Sequence, residues 1–78
     1  MLVAPRIEVD TEVCGGKPCI AGTRLAVYII LEWLENGKSF ADIIEAYPFL
    51  TEDDIRAAVS YARLTIERED VIPLEVAT

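Results

Sequence analysis

Apolar and polar positions change their period along this chain. Arg6-Ile7-Glu8-Val9-Asp10 alternates and puts Ile7 and Val9 on one face, the pattern of a half-buried strand. Gly15-Gly16-Lys17-Pro18 reads as a turn, Cys19-Ile20-Ala21 as a second short strand, and Gly22 punctuates again. Two strands alone are barely stable, so this hairpin has to pack on something else. Residues 1–5 read as a short tail.

Helical spacing then takes over. Over 25–35, Val27, Ile30, Leu31 and Leu34 fall at i, i+3, i+4 and i+7, with Thr23 as the candidate N-cap and Asn36-Gly37 as the left-handed stop. Ile29 and Trp33 lie outside that stripe, so this helix is apolar around more than half its girth. Ser39 opens a second helix, with Asp42 three residues on as a weaker form of the capping box; Phe40, Ile43 and Ile44 face inward, and Tyr47-Pro48 ends it. Thr51 caps a third helix, with Glu52, Asp53 and Asp54 in its first turn, where carboxylates suit the helix dipole. Its core stripe reads Ile55, Ala58, Val59, Ala62 and Ile66, and it runs to about Arg68. Residues 71–76 are apolar without helical period.

These patterns predict a mainly α chain. One domain spans 1–78, with an N-terminal β-hairpin over 6–24, a three-helix core of helix-turn-helix form over 25–68 and a C-terminal tail over 69–78. The expected core is Ile7, Ile20, Val27, Ile30, Leu31, Leu34, Ile43, Ile44, Ile55, Val59 and Ala62.

Composition adds a surplus to this picture. A domain this small buries only about 60% of its unfolded surface. Yet 53% of the 78 residues are apolar. Ala57, Tyr61 and Leu64 form a second apolar stripe on the third helix, nearly opposite the first. With Ile29 and Trp33 they make the candidate interface, covered by a second copy in a homodimer or by a partner protein; the N-terminal hairpin is the alternative cover.

Charge shapes the expectation about nucleic acid. In a DNA-binding helix-turn-helix the third helix enters the major groove, which makes Arg56, Ser60 and Arg63 the candidate readers. But Glu52 lies four residues before Arg56 and Glu67 four after Arg63. Glu52, Asp53 and Asp54 also occupy the end that would meet phosphates, and the chain has 7 basic against 14 acidic residues, a net charge of −7. DNA binding is therefore expected only weakly, or as part of a complex, and an acidic chain suits a basic protein partner.

Catalytic chemistry has little to stand on. There is no His, and Cys14 and Cys19 lack CxxC spacing, so neither a metal nor a cofactor is expected. Gly15-Gly16-Lys17 resembles part of a phosphate loop, but Pro18 follows the lysine where Ser or Thr would open a helix. The acidic side chains are accounted for by caps and wet helix faces, and no enzyme is expected. Without a secretory signal pattern or a membrane-length apolar run, the expectation is a cytoplasmic chain that contacts no membrane. Its thiols are expected to be reduced, although a disulfide across the turn is geometrically possible.

Two motifs carry a resemblance. Arg6-Ile7-Glu8-Val9-Asp10 with Cys14-Gly15-Gly16-Lys17-Pro18-Cys19-Ile20-Ala21-Gly22-Thr23-Arg24 resembles the opening of the family catalogued as domain of unknown function 433. Tyr47-Pro48-Phe49-Leu50-Thr51-Glu52-Asp53-Asp54-Ile55-Arg56-Ala57-Ala58 is similar to its closing motif. The resemblance implies a homeodomain-like helix-turn-helix core. It also implies a type II antitoxin of VapB-like kind, which binds and neutralises a PIN-like nuclease toxin and can bind an operator as a complex. The alternatives are a DNA-binding regulator acting alone and an oligomerisation module with no nucleic-acid role. The family brings no catalytic residues, and nothing ties Gly15-Gly16-Lys17-Pro18 to a ligand.

Overall fold

Three short strands, not two, open the chain. The computed structural model describes residues 1–69. Strands β1 (Leu2–Ala4), β2 (Ile7–Glu8) and β3 (Cys19–Ile20) form an antiparallel sheet in that order. Residues 1–5, expected as a tail, thus supply an edge strand; Val9 N–H donates to the Met1 carbonyl at 2.9 Å. Arg6 makes the tight turn between β1 and β2 in a left-handed conformation, φ 66°, which is uncommon outside glycine. Ile7 pairs with Ile20, and both are buried.

Three helices follow: α1 (Val27–Glu35), α2 (Phe40–Ala46) and α3 (Glu52–Glu67). α1 starts two residues later than its apolar spacing suggests, because Thr23 is engaged elsewhere. Its Oγ1 donates to the Ile20 carbonyl at 2.8 Å and accepts from Leu25 N–H at 3.1 Å, closing a turn instead of capping a helix. Gly37, φ 80°, ends α1: its N–H meets the Leu34 carbonyl and Lys38 N–H the Trp33 carbonyl, the paired bonds of a Schellman stop.

Both later helices carry complete capping boxes. Asp42 N–H donates to Ser39 Oγ, and Ser39 N–H returns a bond to the Asp42 carboxylate at 2.9 Å. The bond from Ser39 N–H first, and the Ser39 hydroxyl beside the carboxylate second, hold the Asp42 pKa below its ordinary value. On α3, Thr51 N–H donates to Asp54 Oδ2 at 3.0 Å, and Asp54 N–H donates to Thr51 Oγ1. Asp54 has a second partner: Arg6 Nη1 donates to its Oδ1 at 3.0 Å. This carboxylate is 8% exposed and joins the sheet to the start of α3.

Ile7, Ile20, Ile30, Ile43 and Ile55 form a fully buried centre, with Leu25, Val27, Leu50 and Ala58 around it. Leu31, Leu34 and Ile44 pack against it half-buried. α3 departs from its expected rotation. Val59 is 40% and Ile66 66% exposed, and Ala62 is half-buried, although all three belong to the expected stripe. Ala57 and Tyr61, expected on the far side, pack against the core. α3 is apolar on both flanks, so period alone does not choose between them; the Arg6–Asp54 contact turns the Asp54 side inward. No residue of α3 after Ala58 is fully buried, so the second half of the helix runs past the core. The expected 71–76 segment lies outside the described residues.

This arrangement predicts unequal costs along α3. Ile55→Ala should lose about 2–5 kcal/mol of unfolding free energy in urea titrations, because it leaves a cavity. Ile66→Ala should stay within about 0.5 kcal/mol of the parent, as an exposed position.

Candidate functional site

Because α3 overhangs the core, a groove opens between its second half, α1 and the loop before β3. Its volume is about 610 Å³, with Val27, Tyr28 and Leu31 on one wall, Tyr61, Ala62 and Ile66 on the other, and Lys17 and Pro18 at its end. Tyr28 is 54% exposed and Ile66 66%. The Lys17 ammonium sits 5.8 Å from the Tyr28 ring centroid, a cation over an aromatic face. The lining is mainly aliphatic and aromatic, with the Thr65 hydroxyl, one cation and no carboxylate.

The expected interface residues sit differently. Ile29, Trp33, Ala57 and Tyr61 are half-buried against the core, and Leu64 is half-buried. Trp33 meets Tyr47 edge to face at 5.9 Å. The exposed large apolar side chains are instead Met1, Leu2 and Val3 at the edge of the sheet, Tyr28, Phe49, Val59 and Ile66. Tyr28 does not stand out in the sequence, because helical spacing gives no sign that it borders a groove. Only Tyr61 of the expected interface set lines that groove.

The candidate DNA-reading residues lie on the outer face of α3. Arg56 and Arg63 are exposed and Ser60 is half-buried. Arg56 bonds to Glu52 at 3.4 Å, approaches Asp53 at 3.7 Å and lies 5.6 Å over the Phe40 ring. Arg63 bonds to Glu67 at 2.9 Å. Both arginines therefore point to water with carboxylates already on them. The three first-turn acids are not equivalent: Asp54 is a structural tie to Thr51 and Arg6, whereas Asp53 is exposed and lies 3.8 Å from Arg6.

The two cysteines are free thiols with structural partners. Cys14 Sγ donates to the Arg24 carbonyl at 3.0 Å, and the buried Cys19 Sγ to the Thr23 carbonyl at 3.8 Å. Burial pushes the Cys19 thiol pKa up, and the neighbouring Cys14 and the acids Glu8 and Asp10 add to it. Among the described residues, no three His, Cys, Asp or Glu side chains converge as a metal site. No helix among them is long and apolar enough to cross a membrane.

Comparison with known proteins places this geometry in a family. The family model for a protein of unknown function, DUF433, matches residues 7–62, more than half of the chain. The chain is 37% identical over 51 residues to the uncharacterized protein y4eO of Sinorhizobium fredii, which takes in 65% of this chain but only 23% of that protein. Its fold is similar to the crystal structure of a DUF433 member protein from Anabaena variabilis. That match has a TM-score of 0.74 and 30% identity, over 81% of this chain and 62% of that one. The chain thus spans less than two thirds of the length of either relative. It belongs to the DUF433 family.

The outer face of α3 generates a prediction. Glu52→Gln with Asp53→Asn removes two exposed carboxylates from the first turn of α3 and leaves the Asp54 tie intact. Nonspecific binding to a duplex, followed by fluorescence anisotropy at low salt, should strengthen by about tenfold and should weaken steeply with added salt.

Proposed function

We propose that this member of the DUF433 family is a non-catalytic protein-binding module of antitoxin type, which uses the groove between α1 and α3 to hold a basic partner. The groove on the overhanging half of α3 is the observation that carries the reading. A small chain with Tyr28 and Ile66 uncovered beside one another presents the kind of anchors that interfaces use. The net charge of −7 adds long-range attraction to a positively charged protein such as a nuclease of PIN-like type. Such a module works in the cytoplasm, where Cys14 and Cys19 stay thiols.

The α2–α3 pair supports a homeodomain-like helix-turn-helix comparison, since a short connection, residues 47–51, joins a short helix to a longer one. Arg56 and Arg63 are engaged with Glu52 and Glu67 on the face that would meet DNA. In this reading operator binding belongs to the complex, with the partner supplying positive charge. That places the stand-alone regulator second. Self-association of two copies through the same groove is the competing use of this surface.

The test is co-purification with the product of the adjacent gene, with size-exclusion and light scattering on the mixture and on the chain alone. The reading expects a stable complex that Tyr28→Asp with Ile66→Asp weakens at least about tenfold, since truncation of an interface anchor commonly costs about 2 kcal/mol. Thermal melting of the double variant should match the parent, because neither position is buried. A complex indifferent to both substitutions, or a chain that only pairs with itself through them, would overturn it.

A further inference from the structure

The two sequence motifs that carry the family resemblance meet across a second groove. Its volume is about 430 Å³, with Gly22, Thr23, Arg24 and Leu25 on one wall and Tyr47 and Phe49 on the other. It shares no lining residue with the groove between α1 and α3. We propose that this second groove binds an extended segment of a partner protein in which an aromatic or large apolar side chain neighbours a carboxylate.

The cation comes first. Arg6, Arg56 and Arg63 each have a carboxylate within salt-bridge distance. Arg24 is exposed, and among the described residues it has none, in a chain where acids outnumber bases two to one. An arginine left without a carboxylate amid that excess is available to one from outside. The loop that carries it is held firmly. Its own carbonyl accepts from Cys14 Sγ, and Thr23 Oγ1 spans from the Ile20 carbonyl to Leu25 N–H. Gly22 N–H donates to Glu8 Oε1 at 2.9 Å. The guanidinium therefore projects from a fixed base, which lowers the entropy lost on forming a bidentate contact.

The aromatic wall comes second. Phe49 is 57% exposed although it is a large apolar side chain. It meets Tyr47 edge to face at 6.1 Å, and Tyr47 meets Trp33 at 5.9 Å, so the rings run from the half-buried Trp33 out to the surface. Leu50 N–H closes the turn onto the Tyr47 carbonyl at 2.9 Å and fixes Phe49 in place. An exposed aromatic and an arginine on facing walls are the residue types enriched in interface anchors.

Charge decides between a peptide and a nucleic acid. A single carboxylate is matched by Arg24. A chain of phosphates would also meet the Glu8 carboxylate held at Gly22 and a protein of net charge −7. The groove is open to solvent and not enclosed, which suits a surface segment of a partner more than a sequestered small molecule. This proposal stands whether or not the α1–α3 groove holds a nuclease, since the two surfaces are separate.

The experiment is a titration of the ¹⁵N-labelled chain, followed by amide chemical shifts, with capped tetrapeptides. One has the sequence alanine-phenylalanine-aspartate-alanine and the other has asparagine in place of aspartate. The aspartate peptide should give saturable shifts centred on residues 22–25 and 47–49. The asparagine peptide should bind about tenfold more weakly, the fold-change expected for a charge-assisted hydrogen bond. Arg24→Gln should bind the two peptides equally, and Phe49→Ala should weaken both, with the thermal midpoint of each variant unchanged. Shifts that never saturate, that fall elsewhere or that are the same for both peptides would overturn the proposal. So would tighter binding of a short oligothymidylate at the same residues.

Discussion

One carboxylate sets the geometry on which the rest of the molecule depends. Asp54 closes the capping box of α3 through Thr51 and accepts from Arg6 of the β1–β2 turn. A carboxylate so little exposed needs those donors, because taking a charge out of water costs several kcal/mol without compensation. Arg6 in turn adopts a left-handed backbone that a non-glycine residue seldom takes. The contact holds the sheet against the first turn of α3. Asp54, Ile55 and Ala58 then face the core, while Arg56 and Arg63 face water.

That rotation has two consequences for function. The arginines of α3 are placed outward next to Glu52 and Glu67, so the face that would meet DNA is close to neutral. The apolar positions Val59 and Ile66 are displaced from the core to the surface, and Ile66 lines the α1–α3 groove. Full burial is confined to the first half of α3, although Tyr61 beyond it still packs against the core. The second half therefore offers surface without a partner among the described residues.

Local signals were the legible part of the fold. Ser39 with Asp42, and Thr51 before its acidic first turn, announce their helix starts, and Asn36-Gly37 announces a stop, because each is decided within a few residues. Ile7 and Ile20 stand opposite each other as their strand pattern implies. Thr23 shows where local reading fails: its hydroxyl serves a turn that depends on β3, whose Ile20 lies three residues earlier. The edge strand Leu2–Ala4 was missed because its pairing comes from the Arg6 turn and not from alternation. The rotation of α3 was misread for a longer-range reason. Both flanks of the helix are apolar, and a contact between residues 6 and 54 decides between them. The candidate site shares this limit. Arg56 and Arg63 with their carboxylates were legible from i, i+4 spacing, whereas Tyr28, Ile66 and Phe49 acquire their meaning only from what the fold leaves uncovered.

The most direct test of this account is a double-mutant cycle on Arg6→Gln and Asp54→Asn, with unfolding free energies from urea titration. Arg6 is half-exposed and Asp54 nearly buried, so the coupling should lie between that of a surface pair and that of a buried charged hydrogen bond, about 1–2 kcal/mol. Effects that add to within about 0.3 kcal/mol would contradict the claim that this contact sets the rotation of α3.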